Sequence, residues 1–247
     1  MLEEITPDGE DVRVVRGRAS TLDTDRTGTD AMLTLTAESG APTVRVWTPH
    51  RHVAFGRRDA RSAGYERAKA AAESRGYPAV ERSVGGRAVA YTGTTVAFAV
   101  AVPTEDNRRG LESRYDAATT AVVRALRSIG VPARRGEPEA SFCPGEHSVQ
   151  ARGKISGIAQ RVRRETALVA GVVVVDSHDE LASVLAPIYE ALDVPFDPDS
   201  VGSVARSGGA VAPDAVADAL CDSFCGDRPR RSVSLASLLD EYGDARV

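Results

Sequence analysis

Three β-prone stretches, residues 146–151, 155–163 and 166–176, follow one another with only tight turns between them. That spacing leaves no room for a crossover helix, so the three are expected as adjacent strands of one sheet rather than parts of a regular βαβ array. Further strands are expected at 11–18, 43–48, 52–56, 79–83, 88–92 and 94–102, with 43–48 and 52–56 forming a hairpin across the turn Pro49-His50-Arg51. Helices are expected at 24–38, at 179–192 and at 59–75, the last stopping at Gly76-Tyr77-Pro78. Another helix is marked by Leu111, Tyr115, Ala118, Val122, Leu126 and Ile129, which recur at three- and four-residue steps as a core stripe and end at Gly130. This order gives an α+β fold, a mixed, largely antiparallel sheet flanked by helices.

At 247 residues the chain can bury one sizeable core. Prolines, serines and glycines at 195–210 read as a linker, and 212–225 and 232–242 read as two short helices. The organisation expected is a main domain at 1–194 and a linker with a short helical C-terminal extension at 195–247. A formal net charge of -4 supplies no basic field, which argues against general nucleic-acid or membrane-surface binding. No charged-then-apolar leader opens the chain, and the longest apolar run, 167–175, is too short for a bilayer, so a cytoplasmic location is expected. Cys143, Cys221 and Cys225 form an odd set without zinc-ribbon spacing, which speaks against a disulfide framework or a metal site. A cysteine with a special role here would be a nucleophile.

Three segments could carry chemistry. In Arg82-Ser83-Val84-Gly85-Gly86-Arg87-Ala88, two glycines without side chains let a ligand approach the backbone, and the flanking guanidiniums can hold an anion. Neither a Walker loop nor a dinucleotide fingerprint is present, and the same residues also suit a plain hairpin with solvated arginines. In Ser141-Phe142-Cys143-Pro144-Gly145 the cysteine lies on a turn, where its sulfur could be accessible; an inert buried cysteine is the competing reading. The third segment is Gly153-Lys154-Ile155-Ser156-Gly157-Ile158-Ala159-Gln160-Arg161. Alternation puts Lys154, Ser156 and Ile158 on one strand face, with small neighbours leaving room beside the lysine. Of the 31 basic residues only Lys69 and Lys154 are lysines, so a lysine is kept where a compact ammonium is wanted, or by chance. An ammonium near Cys143 would favour its nucleophilic thiolate. His50 with His52, Cys221 with Cys225, and His147 as a base beside Cys143 are weaker candidates, each more at home in an ordinary turn, helix or strand edge. The run Arg161, Arg163 and Arg164 suits either an acidic partner or a solvated edge.

In this order the RxxGGR segment at 82–87, the TxxFxVxVP-like stretch at 95–103 and the GK-I-S-G-I-A-Q-R segment at 153–161 resemble the lipoate-protein ligase and octanoyltransferase family, whose fold is shared with biotin ligases. The resemblance runs from about residue 43 to 176. ATP-dependent ligases of that family usually carry a third glycine and then a histidine-aspartate pair; this chain has Arg87 and Tyr91-Thr92 there. The GGR form and the string SFCPGEHSV ahead of Lys154 are more similar to the cysteine-dependent branch that moves octanoyl groups from the glycine-cleavage H protein to lipoyl domains.

The resemblance implies that 1–194 is a catalytic acyltransferase domain of lipoyl-cofactor assembly. Cys143 would attack a donor acyl carbonyl to give a thioester, and a lysine of a lipoyl domain would then take the acyl group. Lys154 would orient the carbonyl, amides near Gly157 and Ile158 would complete an oxyanion site, and Arg82, Gly85, Gly86, Arg87, Ala88, Ser156 and Ala159 would line the substrate. The donor would be an H protein or an acyl-carrier protein and the acceptor a lipoyl domain of a 2-oxoacid dehydrogenase, with no nucleic acid, membrane or metal. No cofactor is required on this reading. The alternatives are an ATP-dependent lipoate-protein ligase, which would need ATP and Mg, and a non-catalytic lipoyl-domain or ligand-binding module.

Overall fold

The computed structural model describes residues 1–2, 11–82, 85–104, 110–209 and 212–245. Within them lie β1 (Val12–Arg16), α1 (Leu22–Ser39), β2 (Thr43–Trp47), β3 (His52–Phe55), α2 (Tyr65–Glu73), β4 (Ala79–Glu81), β5 (Val89–Tyr91) and β6 (Thr95–Pro103). They are followed by α3 (Leu111–Ser128), β7 (Arg134–Arg135), β8 (Ser148–Gln150), β9 (Lys154–Val162), β10 (Thr166–Val174), α4 (His178–Ala191), α5 (Pro213–Cys225), β11 (Arg230–Ser234) and α6 (Leu235–Asp244). Among the described residues the strands form a large sheet in the order β11-β1-β2-β6-β10-β9-β8-β7 and a small one in the order β4-β3-β5. Only β1 with its two neighbours, and β3 with β4, run parallel; the other ladders are antiparallel.

The block between 146 and 176 is β8-β9-β10, antiparallel as its turns require, with a register shift at Val149/Gln150. The expected hairpin at 43–56 does not form. β2 is taken on both edges by β1 and β6, whereas β3 pairs with β4 and β5, so the Pro49-Arg51 turn carries the chain from one sheet to the other. Alternation fixes which face a strand buries, not which strand lies beside it. The helix expected at 59–75 starts only at Tyr65, because Asp59 is fully buried and accepts the Gly56 amide in a turn instead. Leu111, at the first position of α3, is 46% exposed and stands outside the core stripe.

Residues 195–247 read from the sequence as linker and extension; the described ones among them, 195–209 and 212–245, are built into the main body. Gly202 donates its amide to the Lys154 carbonyl at 2.9 Å, α5 buries Val216, Leu220 and Phe224 in the central core, and β11 extends the large sheet beside β1. Prolines and glycines there serve close packing and turns rather than freedom.

The strands of the large sheet carry unlike residues on their two faces. Along β6, Val96, Phe98, Val100 and Val102 enter the core made with α3 and α5, where Phe98 meets Phe224 with ring centroids 5.0 Å apart. Between them Ala97, Ala99 and Ala101 face the other way, toward α1, α6 and the small sheet. Register continues this second face across three strands, Ala99 beside Ala170 beside Ala159 and Ala97 beside Val172 beside Gly157. Alanine and glycine withhold the volume that valine fills on the opposite side, and the gap they leave is the site.

Candidate active site

A cavity of about 990 Å³ lies over this small-residue face. Its floor is Ala97 and Ala99 of β6, Ala170 and Val172 of β10, and Gly157 to Ala159 of β9. One wall is the first half of α1, a second is the small sheet with Arg82, Gly85 and Gly86, and the rim holds Cys143 to Ser148. The α1 wall is anchored by Asp25, which is buried, accepts Arg45 Nη2 at 2.6 Å and Trp47 Nε1 at 3.0 Å, and has Arg45 stacked over the Trp47 ring. Burial draws the Arg45 guanidinium below its ordinary range and the Asp25 carboxylate opposes that.

Cys143 is partly exposed and sits at φ +44°, a left-handed conformation that a side-chain-bearing residue adopts only when its surroundings impose it. Two donors converge on its sulfur: Arg82 Nη2 at 3.2 Å and the Arg87 amide at 3.3 Å. Both aim an N–H at Sγ, the atom through which a cysteine attacks carbonyls. Burial works against the Arg82 charge, but the sulfur and Tyr91 beside it prevail and hold the guanidinium above its ordinary range. Gly86, at φ +101°, makes this approach possible, since a Cβ there would lie 2.5 Å from Sγ and from Arg82 Nη2. The Gly86 carbonyl in turn rests on Gly56, where a Cβ would meet it at 1.8 Å. The double glycine therefore makes room for the Cys143 sulfur. Ser83 and Val84 of the same motif lie outside the described residues.

Lys154 is placed otherwise than its sequence suggests. It has no exposed surface and does not line the cavity; its Nζ donates to both carboxylate oxygens of Glu137 at 2.9 Å and to the Cys143 carbonyl at 2.8 Å. Burial pulls the ammonium below the usual lysine range, and Glu137 counters it by charge and hydrogen bond. The cation touching the sulfur is Arg82. Arg87 turns its side chain to Asp59 at 3.1 Å, Ala88 is buried with its carbonyl taken by Tyr189, and Ser156 is buried beneath the floor. Ile158 lines the cavity, but its amide donates to the His147 carbonyl at 3.1 Å and is not an open oxyanion donor.

Tyr189, Glu137 and Asp59 belong to the site and to no sequence motif. Fully buried on α4, Tyr189 donates to the Ala88 carbonyl at 2.9 Å and accepts the Cys143 amide at 2.5 Å, tying the double-glycine segment to the cysteine loop. Burial pushes its phenol well up, so it stays a donor. Helical periodicity marks Tyr189 as core; nothing local tells what its hydroxyl meets. The weaker candidates find ordinary roles: His50 and His52 bond to the carbonyls of Ala19 and His50, and His147 stacks on Tyr115 at 3.7 Å between centroids. Cys221 and Cys225 are buried in α5. Among the described residues no group of three His, Cys, Asp or Glu side chains could hold a metal ion, and no helix is long and apolar enough to cross a membrane.

The sequence pattern of the lipoyl protein ligase A/B catalytic domain matches residues 28–225. An octanoyl-[GcvH]:protein N-octanoyltransferase of Bacillus velezensis is 30% identical over 153 residues, 60% of this chain and 53% of that protein. One of Lysinibacillus sphaericus is 25% identical over 60% of this chain and 54% of its own length. The chain thus spans about half the length of the curated relatives it matches. A lipoate-protein ligase A crystallised with ATP superimposes with a TM-score of 0.73 at 21% identity, covering 96% of this chain and 95% of the other, and shares the fold.

Proposed function

The chain belongs to the lipoyl protein ligase A/B catalytic-domain family, and on that footing we propose that it transfers an octanoyl group to a lipoyl domain through a thioester on Cys143. The observation that carries this reading is the sulfur at the cavity rim with Arg82 and the Arg87 amide donating to it. The Cys143 thiolate attacks the carbonyl of an octanoyl-lysine amide on an H protein. The C–S bond forms, the C–N bond breaks, and the departing lysine amine takes up a proton. An acceptor lysine then attacks the thioester, loses a proton and returns the thiolate. The alkyl chain lies on the Ala99, Ala170 and Ala159 row, where apolar burial favours it by roughly 0.8 kcal/mol per methylene.

The names of the curated relatives support the H protein as the donor; a lipoyl domain of a 2-oxoacid dehydrogenase is the acceptor the reading requires. Cytoplasmic placement belongs to the same reading. Intact mass spectrometry after mixing with octanoylated H protein tests it. A hydroxylamine-labile octanoyl adduct on Cys143, absent in Cys143→Ala, is expected. Acyl-adenylate formation from ATP and lipoate that survives Cys143→Ala would assign the chain to the ligases instead, and octanoyl binding without any transfer would make it a binding module.

A further inference from the structure

A lysine ammonium has three protons to donate. In Lys154 all three have acceptors within the protein: Oε1 and Oε2 of Glu137 and the carbonyl of Cys143. None is left for a substrate carbonyl. The side chain has no exposed surface, while that of Glu137 keeps 24%, and Ser141 donates a further hydrogen bond to the same carboxylate. A buried ammonium without a counter-charge is strongly destabilising, so Glu137 is what allows Lys154 to stand charged beneath the loop. The loop needs such a support. Ala140 and Cys143 both hold left-handed conformations, at φ +48° and +44°, which cost free energy unless contacts fix them. The Cys143 residue is gripped at three points, its amide by Tyr189, its carbonyl by Lys154 and its sulfur by Arg82 with Arg87.

We infer that Glu137 is a positioning residue for the nucleophile: it aims Lys154 at the Cys143 carbonyl, and the pair holds the turn that delivers Sγ to Arg82 and the Arg87 amide. This rests on reading Cys143 as the nucleophile. It gives Lys154 a task on the enzyme's own backbone rather than on the acyl group.

The test is the rate at which iodoacetamide alkylates Cys143 in the full chain, followed by peptide mass mapping across a pH series, beside thermal unfolding of Glu137→Gln, Lys154→Met and the double variant. Iodoacetamide carries no octanoyl group, so the readout does not depend on transfer. Each single variant is expected to alkylate more slowly at neutral pH, by about tenfold or more, because displacement of a reacting atom by an ångström can cost up to about 100-fold. The double variant is expected to recover the melting temperature lost by the single ones, since no uncompensated charge remains, and yet to alkylate as slowly as they do. A purely structural ion pair would restore both together. Should a single variant not fold, the double variant alone decides. Alkylation within about twofold of wild type in these variants, with octanoyl transfer abolished, would overturn the inference and put Lys154 on the acyl carbonyl. Slowed alkylation in a protein whose wild type transfers no octanoyl group would leave the clamp standing and remove the proposed function.

Discussion

The two faces of the large sheet are made by the same strands and behave as different materials. On the α3 and α5 face, Val96, Phe98, Val100 and Val102 interlock with Val169, Val173 and Phe224, and Cys221 and Cys225 are sealed inside that packing. On the other face Ala97, Ala99, Ala170 and Gly157 leave space, and the thiol at its rim, Cys143, is partly exposed. Electrostatics alone would mislead here. The hydrogen bond from Cys225 draws the Cys221 thiol down and pushes Cys225 up, yet both side chains are at most 1% exposed and no carbonyl can reach them. On the proposed reading, reactivity needs withheld volume plus aimed donors, not a favoured thiolate by itself.

That contrast can be broken first on the filled side. Phe98→Ala removes a fully packed ring and is expected to cost about 3–5 kcal/mol of stability in denaturant unfolding, with Cys143 alkylation of the remaining folded protein little changed. On the open side the reverse is expected. Ala170→Leu fills the floor, so octanoyl transfer should fall on the order of 100-fold while stability moves by less than about 1 kcal/mol, and an acetyl donor should be spared.

Acid offers a smaller, directional probe. His52 lines the cavity, is 7% exposed and stacks on Tyr91 at 4.4 Å, and burial lowers its imidazole to about 4 from 6.5. Below 6.5 the unfolded chain binds a proton that the folded one refuses until about 4, so the contribution is present above 6.5 and is lost as pH falls through that window. A loss of about 3 kcal/mol between these limits is expected, visible as faster amide exchange in β3 and β5 than in β6 and β10, and His52→Phe should flatten it. The smallest effect sharpens the comparison. Replacing Cys221 and Cys225 by alanine should leave the alkylation rate of Cys143 within about twofold, since neither thiol is accessible. Rapid labelling of either in the native protein would dissolve the distinction between the faces.

Much of this could be read from the chain. The tight spacing at 146–176 forces β8, β9 and β10 to be neighbours, the stripe from Tyr115 to Leu126 makes α3, and the GGR, FCPG and GK segments mark the three pieces that meet at the cavity. These are local facts, set by period, turn chemistry and residue size within a few positions. What they could not settle is who meets whom. The strand at 43–47 pairs with β1 and β6 rather than with β3, the stretch after residue 195 closes the core, and the cation on the sulfur is Arg82 instead of Lys154.

Glu137 and Tyr189 show why. A glutamate in a proline-bearing loop and a tyrosine on an apolar helix face carry no local mark of function, because their partners lie 17 and 46 residues away in sequence and become neighbours only when the sheet and α4 are assembled. The chain determined its elements and the residue types available for chemistry. Tertiary packing decided which ammonium is consumed by a carboxylate and which guanidinium is left for the thiol, since a buried charge takes whatever counter-charge the assembled structure places within reach.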